Sequence, residues 1–260
     1  MASLLSGLKK DNVAATERDS LGGAQLLDSD VYPLTVSMAY LQKSQEKDGK
    51  GGALGVFLTF KTEEGKEINQ TIYITGGVDK GSSSTYQDKE GKDQYLPGYL
   101  QVNGLCLLSL GRELADLEDE VEEKSISVYD FNAKAKVIKK MPVIVPLIGA
   151  KIKAGILRQQ VSKQVKGDDG KYHPTAETRE ENEINKFFRD EDNMTVAEIE
   201  AQAEEPKFYT DWLTKYKGQV LDKRSKDAPA AGAPGTAPKP AATAGAAKPA
   251  SSLFGKPAAK

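Results

Sequence analysis

Residues 131–167 read FNAKAKVIKKMPVIVPLIGAKIKAGILRQQVSKQVKG. The stretch holds nine basic residues, Lys134, Lys136, Lys139, Lys140, Lys151, Lys153, Arg158, Lys163 and Lys166, and no Asp or Glu, in a chain whose formal charge is −2. It also alternates as strands do. Lys151 and Lys153 flank Ile152, and strand side chains two apart share a face. One face can enter a core while the other presents cations, which suits an extended polyanion. The competing reading is a solvated strand surface whose lysines block edge pairing.

Composition narrows the chemistry. The single cysteine, Cys106, sits in the apolar run 105–108, and the single histidine, His173, precedes Pro174 in a polar stretch. One Cys and one His give no disulfide, no cysteine zinc cluster and no His-rich metal site. Catalysis would need carboxylates converging on a metal, or a nucleophile beside a base. The acidic stretches 113–123 and 177–205 read instead as solvated helices, so no catalytic residue, metal or cofactor is expected. No apolar run approaches the ~20 residues of a membrane span. The opening MASLLSGLKKDN lacks the apolar core of a secretory signal. A soluble cytoplasmic protein is expected.

Upstream of the basic stretch, residues 1–30 mix Ser, Gly and Asp with short apolar pairs and read as a loosely held arm. From Val31 a strand begins, with Leu34, Val36, Met38 and Tyr40 alternating against Thr35, Ser37 and Ala39. Residues 43–52 form a loop, 54–60 a second strand, 63–66 a turn and 68–75 a third strand. In the third, Ile72 and Ile74 share one face and Thr71, Tyr73 and Thr75 the other. The polar loop 76–94 carries Lys80, Tyr86 and Lys89, with Tyr95 next. It lacks the Gly-Lys-Ser/Thr and following helix of a phosphate loop. Pro97-Gly98 opens a helix over 99–110, apolar nearly all round and closed by Gly111. Residues 125–129 make a fourth strand. The basic stretch adds pieces at 135–140, 143–147 and 151–164, with Pro142 and Pro146 confining the middle piece to an edge or breaking its pairing.

Downstream the charge reverses: residues 177–205 hold eleven acidic and three basic residues. Thr178 with Glu181, and Thr195 with Glu198, have capping-box spacing and predict two helices. Phe208, Trp212, Leu213 and Tyr216 anchor another. Residues 227–260 hold 23 Ala, Pro or Gly among 34, too few apolar groups to fold. Near their end Leu253-Phe254 restores an apolar pair, the form of a docking motif on a tether.

The order strand, strand, strand, helix, strand, strand is that of an OB-fold, a five-stranded Greek-key barrel. The expected fold is therefore mainly β with added helices. An arm at 1–30 precedes the OB-fold domain at 31–167, followed by a helical extension at 168–226 packed on the barrel and a disordered tail at 227–260. OB-folds bind single strands with a basic groove and stacking aromatics. The runs TIYITGGVDKG (71–81), DKEGKDQYLPGYLQVNGLCLLSLGREL (88–114), SVYDFNAKAKVIKKMPVIVPLIGAKIKAGILRQ (127–159) and TAETREENEINKFF (175–188) resemble the single-stranded DNA-binding proteins of tailed bacteriophages. The resemblance spans about residues 30–222. It implies a protein that coats single-stranded DNA in phage replication or recombination, without strong sequence specificity. Such proteins commonly end in an acidic tail that recruits partners, whereas here the last 34 residues carry one Asp and four Lys.

The candidate phosphate contacts are Lys80, Lys89, Lys136, Lys139, Lys140, Lys151, Lys153 and Arg158. Tyr73, Tyr86, Tyr95, Tyr129 and Phe131 are the candidate stacking residues. Leu253 and Phe254 are the candidate contact for a replication or recombination protein. A phage structural or assembly protein with a tethered end is the alternative. Quenching of Trp212 or Tyr fluorescence by oligo-dT separates the two. Deleting residues 227–260 is expected to leave cooperative unfolding and most oligonucleotide affinity intact. Urea unfolding of the truncated chain checks this, and a lost cooperative transition would contradict it.

Overall fold

The structure is a computed structural model that describes residues 26–46, 49–130, 133–167 and 172–226. Three strands, β1 (Asp30–Lys43), β2 (Leu54–Lys61) and β3 (Glu67–Tyr73), form an antiparallel meander. Val56, Leu58 and Phe60 of β2 point into the core with Ile68 and Ile72 of β3. Gly65, at φ +79°, turns the chain between them. In β1 the alternation is interrupted. A register shift between Val36 and Met38 puts Ala39, not Tyr40, into the core beside Leu34 and Val36. The extra residue of such a bulge reverses the phase of everything after it. The expected single face of Leu34, Val36, Met38 and Tyr40 is therefore split.

Two short strands, β4 (Thr85–Gln87) and β5 (Asp93–Tyr95), pair within the long polar loop. Helix α1 (Pro97–Leu110) starts on proline and ends at Gly111, whose φ of 68° lets its N–H reach the Leu107 carbonyl. It buries Val102, Leu105, Cys106 and Leu108, and burial pushes the Cys106 thiol up to about 12. Strands β6 (Val121–Asp130) and β7 (Ala135–Ile144) pair along their whole length as an arm. Pro142 stays within β7, opposite Glu123, because β7 meets β1 only at the Tyr40–Val143 pair and so offers Pro142 an edge position. Pro146 falls in a 3₁₀ turn at Val145–Leu147, so the expected middle piece ends there.

Strand β8 (Lys151–Lys166) pairs with β1 along Asp30–Thr35 and with β9 (Tyr172–Phe188) on its other edge. The helix expected from Thr178 and Glu181 is thus a strand. Phe187 and Phe188 decide between the two. A helix would set these neighbours only about 100° apart, whereas a strand sends them to opposite faces. Phe187 enters the main core, and Phe188 joins a second one with Leu157 and Trp212. The acidic side chains also meet the basic strand: Glu177 bonds Lys163 at 2.9 Å and Glu180 bonds Arg158 at 2.7 Å. Pairing along a sixteen-residue edge outweighs the local capping signal.

The other capping box is real. Thr195 and Glu198 bond reciprocally at the start of α2 (Val196–Glu200). Helix α3 (Lys207–Tyr216) lays Trp212 over β8, where a Cβ on Gly155 would come within 2.7 Å of the indole. The short β10 (Val220–Asp222) adds in parallel to Arg158–Gln160.

The sheet therefore runs β9-β8-β1-β2-β3 and remains open as a backbone ladder, not the closed barrel expected. Between its end strands a side chain takes the place of the ladder. Gln70 of β3 accepts from the Ile184 N–H at 2.9 Å and donates to the Ile184 carbonyl at 3.3 Å. Gln101 of α1 donates to the same carbonyl at 3.2 Å. Ile184 is buried, so its amide has no water to fall back on. Gln70→Ala is expected to cost about 1–3 kcal/mol, the penalty for orphaning a buried polar group. Urea denaturation checks this. A midpoint equal to that of the wild type would remove Gln70 from the closure.

Candidate nucleic-acid interface

After the bulge, β1 turns Tyr40 outward. Its partner in register, Phe57 of β2, also faces out, because Val56 and Leu58 face in. The two rings stack, centroids 5.0 Å apart and 15° from parallel. Tyr73 ends β3 opposite Gly55, and a Cβ on Gly55 would meet the Tyr73 ring at 3.2 Å and the Phe57 ring at 3.4 Å. Glycine there lets the two rings close up. Tyr40, Phe57 and Tyr73 form an aromatic strip across three strands, with Tyr73 47% exposed. The backbone of Tyr73 is also fixed from α1, where a Cβ on Gly98 would lie 2.0 Å from its carbonyl oxygen. Sequence reasoning found Tyr73 but missed Tyr40 and Phe57. Alternation within β2 was a usable signal for Phe57, while the bulge hid Tyr40.

The loop after β3 is a built structure. Val78 donates to the Gly51 carbonyl at 2.7 Å, tying the loop to the β1–β2 connection, and Gly76 donates to Ser83. A 3₁₀ turn at Val78–Lys80 leaves Lys80 exposed. Asp88 accepts from the N–H groups of Lys92 and Glu90, which hold its carboxyl below the usual range and shape the turn that exposes Lys89. Tyr95 stacks on Tyr99 at 4.6 Å, and Tyr86 projects from the other face of the β4–β5 hairpin.

The basic stretch does not make one face. In the β6–β7 arm, Lys136 lies opposite Tyr129 and Lys140 opposite Ser125, on the side where Ile138 is 79% exposed. Lys139 lies on the other side, the side of Val143 and Tyr40, and is paired with Asp130 at 2.6 Å. Phe131 lies outside the described residues, as do Leu253 and Phe254. In β8, Lys151 is exposed opposite Thr35. Lys153, by contrast, donates to the Asp190 carbonyl at 2.7 Å and to Asn193 at 2.9 Å. Arg158 is gripped by Glu180 and Asp28, whose hydrogen bonds raise its pKa. These two cations knit β8 to the segments around it. Among the described residues, Lys136, Lys140 and Lys151 have no ion-pair partner.

The arrangement can stack bases on the strip and hold phosphates from the loop beside it, with Lys136 and Lys140 reached over the edge of the arm. Among the described residues no three His, Cys, Asp or Glu side chains gather as metal ligands. Trp212 is 2% exposed and its indole N–H is bonded to Asn185, so it is screened from a ligand on the strip, and a quenching signal has to come from tyrosines.

The split among the cations is testable. Lys136→Gln with Lys140→Gln is expected to weaken oligo-dT binding and to flatten its salt slope by about 0.7 per lost contact, with thermal stability unchanged. Arg158→Gln is expected to do the reverse, lowering the melting temperature while affinity holds. Weakened affinity at an unchanged melting temperature for Arg158→Gln would return that residue to the binding surface.

Set against known protein families, curated proteins and solved structures, the chain matches none of them.

Proposed function

We propose that the chain binds single-stranded DNA, bases stacked along Tyr40, Phe57 and Tyr73, phosphates held by Lys80 and Lys151, and the strand running on over the edge of the β6–β7 arm to Lys136 and Lys140 on its other side. The single observation that supports this most is the aromatic strip, three outward rings on adjacent strands with Tyr40 and Phe57 already stacked and parallel to within 15°. Every base has a π-face, so such a platform binds without strong sequence preference. The order of three strands, helix and further strands supports an OB-type arrangement, with Gln70 spanning the place where the ladder does not run. The resemblance to phage single-strand binders supports a role in coating DNA during replication or recombination in the host cytoplasm. Such a role is binding, not catalysis.

A titration of the full chain with fluorescently labelled oligo-dT of graded length, at several salt concentrations, tests the reading. Expected are tyrosine quenching, weaker affinity for duplex, and a salt slope of about −0.7 per phosphate contact. Phe57→Ala and Tyr73→Ala should each weaken binding about 5- to 150-fold, the worth of one stacked base. Tighter duplex binding, or an affinity flat in salt, overturns the proposal and leaves the assembly-protein alternative.

A further inference from the structure

Helix α1 is apolar on nearly every side, as buried helices are, yet one side is uncovered. Pro97, Leu100, Gly104 and Leu107 recur on that side at helical spacing, and with Val196 and Glu200 of α2 they line a groove of about 530 Å³. Leu100 is 53% exposed. At the floor, a Cβ on Gly104 would meet only Val196, at 3.7 Å, so there is room for inserted side chains. Glu200 on the rim is exposed and has no ion-pair partner among the described residues, while Lys186 beside it lies over the Phe208 ring.

Residues 227–260 carry two large apolar side chains, Leu253 and Phe254, with Lys256 and Lys260 after them and no acidic residue beyond Asp227. Their chemistry complements a groove that is apolar within and offers an unpaired carboxylate, Glu200, at its rim beside Lys186. Reach agrees. Ser225 is bonded to Ser162, which pairs with Thr178 of β9, so the tether is rooted there. Asn185, Lys186 and Phe187, on the groove wall, lie seven to nine residues further along β9. At strand rise that is roughly 23–30 Å. The 26 residues 227–252 can span at most roughly 86–94 Å, ample for that distance.

We propose that Leu253-Phe254 docks into the α1–α2 groove of its own chain, with Lys256 against Glu200. The groove is then an interaction surface that the chain itself covers, and a partner bearing an apolar pair has to displace the tail to use it.

The test is a nitroxide spin label on full-length protein at Ala250→Cys, read by amide NMR. Cys106 is buried with its thiol at about 12 and stays unlabelled. Expected is a selective loss of amide signals from Leu100, Gly104, Leu107 and Val196. The loss should vanish in Leu253→Ala/Phe254→Ala and in Gly104→Leu. The latter fills the groove, and replacing a mid-helix glycine favours the helix. Signals lost evenly over the surface, or a loss that survives Gly104→Leu, overturn the proposal. A mixture of spin-labelled chain with unlabelled ¹⁵N chain should show no loss in the ¹⁵N chain, and a loss there overturns it in favour of a second copy as occupant.

Discussion

Strand β1 has to serve two partners along one edge. Its first half pairs with β8 through Thr35, and Val36 then bonds the turn residues Gly149 and Ala150, on the way to β7 at Tyr40. A flat strand cannot follow two strands that diverge, and the bulge between Val36 and Met38 supplies the bend. The same slip turns Tyr40 to the outside, where it meets Phe57. The change of partner that curves the sheet is also what assembles the aromatic strip. Curvature in turn brings β3 round towards β9, close enough for the Gln70 amide to span the remaining gap.

Charge is partitioned by the same architecture. Strand β8 runs beside the acidic β9, and Arg158 and Lys163 are neutralised by Glu180 and Glu177 of β9. Opposite charges across strands help fix register, since a one-residue slip would carry each to the wrong face. On β7 and β8, Lys136, Lys140 and Lys151 keep no ion-pair partner among the described residues, so a chain of net charge −2 retains local positive charge there.

The meander, α1 with its Pro and Gly ends, the Thr195 cap and the Trp212 helix were legible because each rests on local signals: alternation, caps and turn residues. Strand β9 was not. Its Thr178–Glu181 spacing satisfies a helix rule, and only pairing with the sixteen-residue edge of β8, the strand just before it, makes extension the better solution. Two adjacent Phe residues were the available hint. The site was legible in part for the same reason. Tyr73 follows from alternation, but Tyr40 depends on a bulge that no residue type announces. Lys153 and Arg158 look like their basic neighbours until their partners at Asp190, Asn193, Glu180 and Asp28 are placed.

Helix α1 connects the aromatic strip and the apolar groove. Its first turn presses Gly98 on the Tyr73 carbonyl and stacks Tyr99 on Tyr95, while the next turns present Leu100 and Gly104 to the groove. A ligand that moves Tyr73 pushes on a helix end with no slack, because the contact at Gly98 is with backbone and cannot be relieved by a rotamer. Coupling between sites is reciprocal in free energy. Whatever preference a ligand on the strip imposes on the position of α1, an occupant of the groove imposes in return on the strip. The groove and the strip then meet on one helix, so an occupant of the first biases the second.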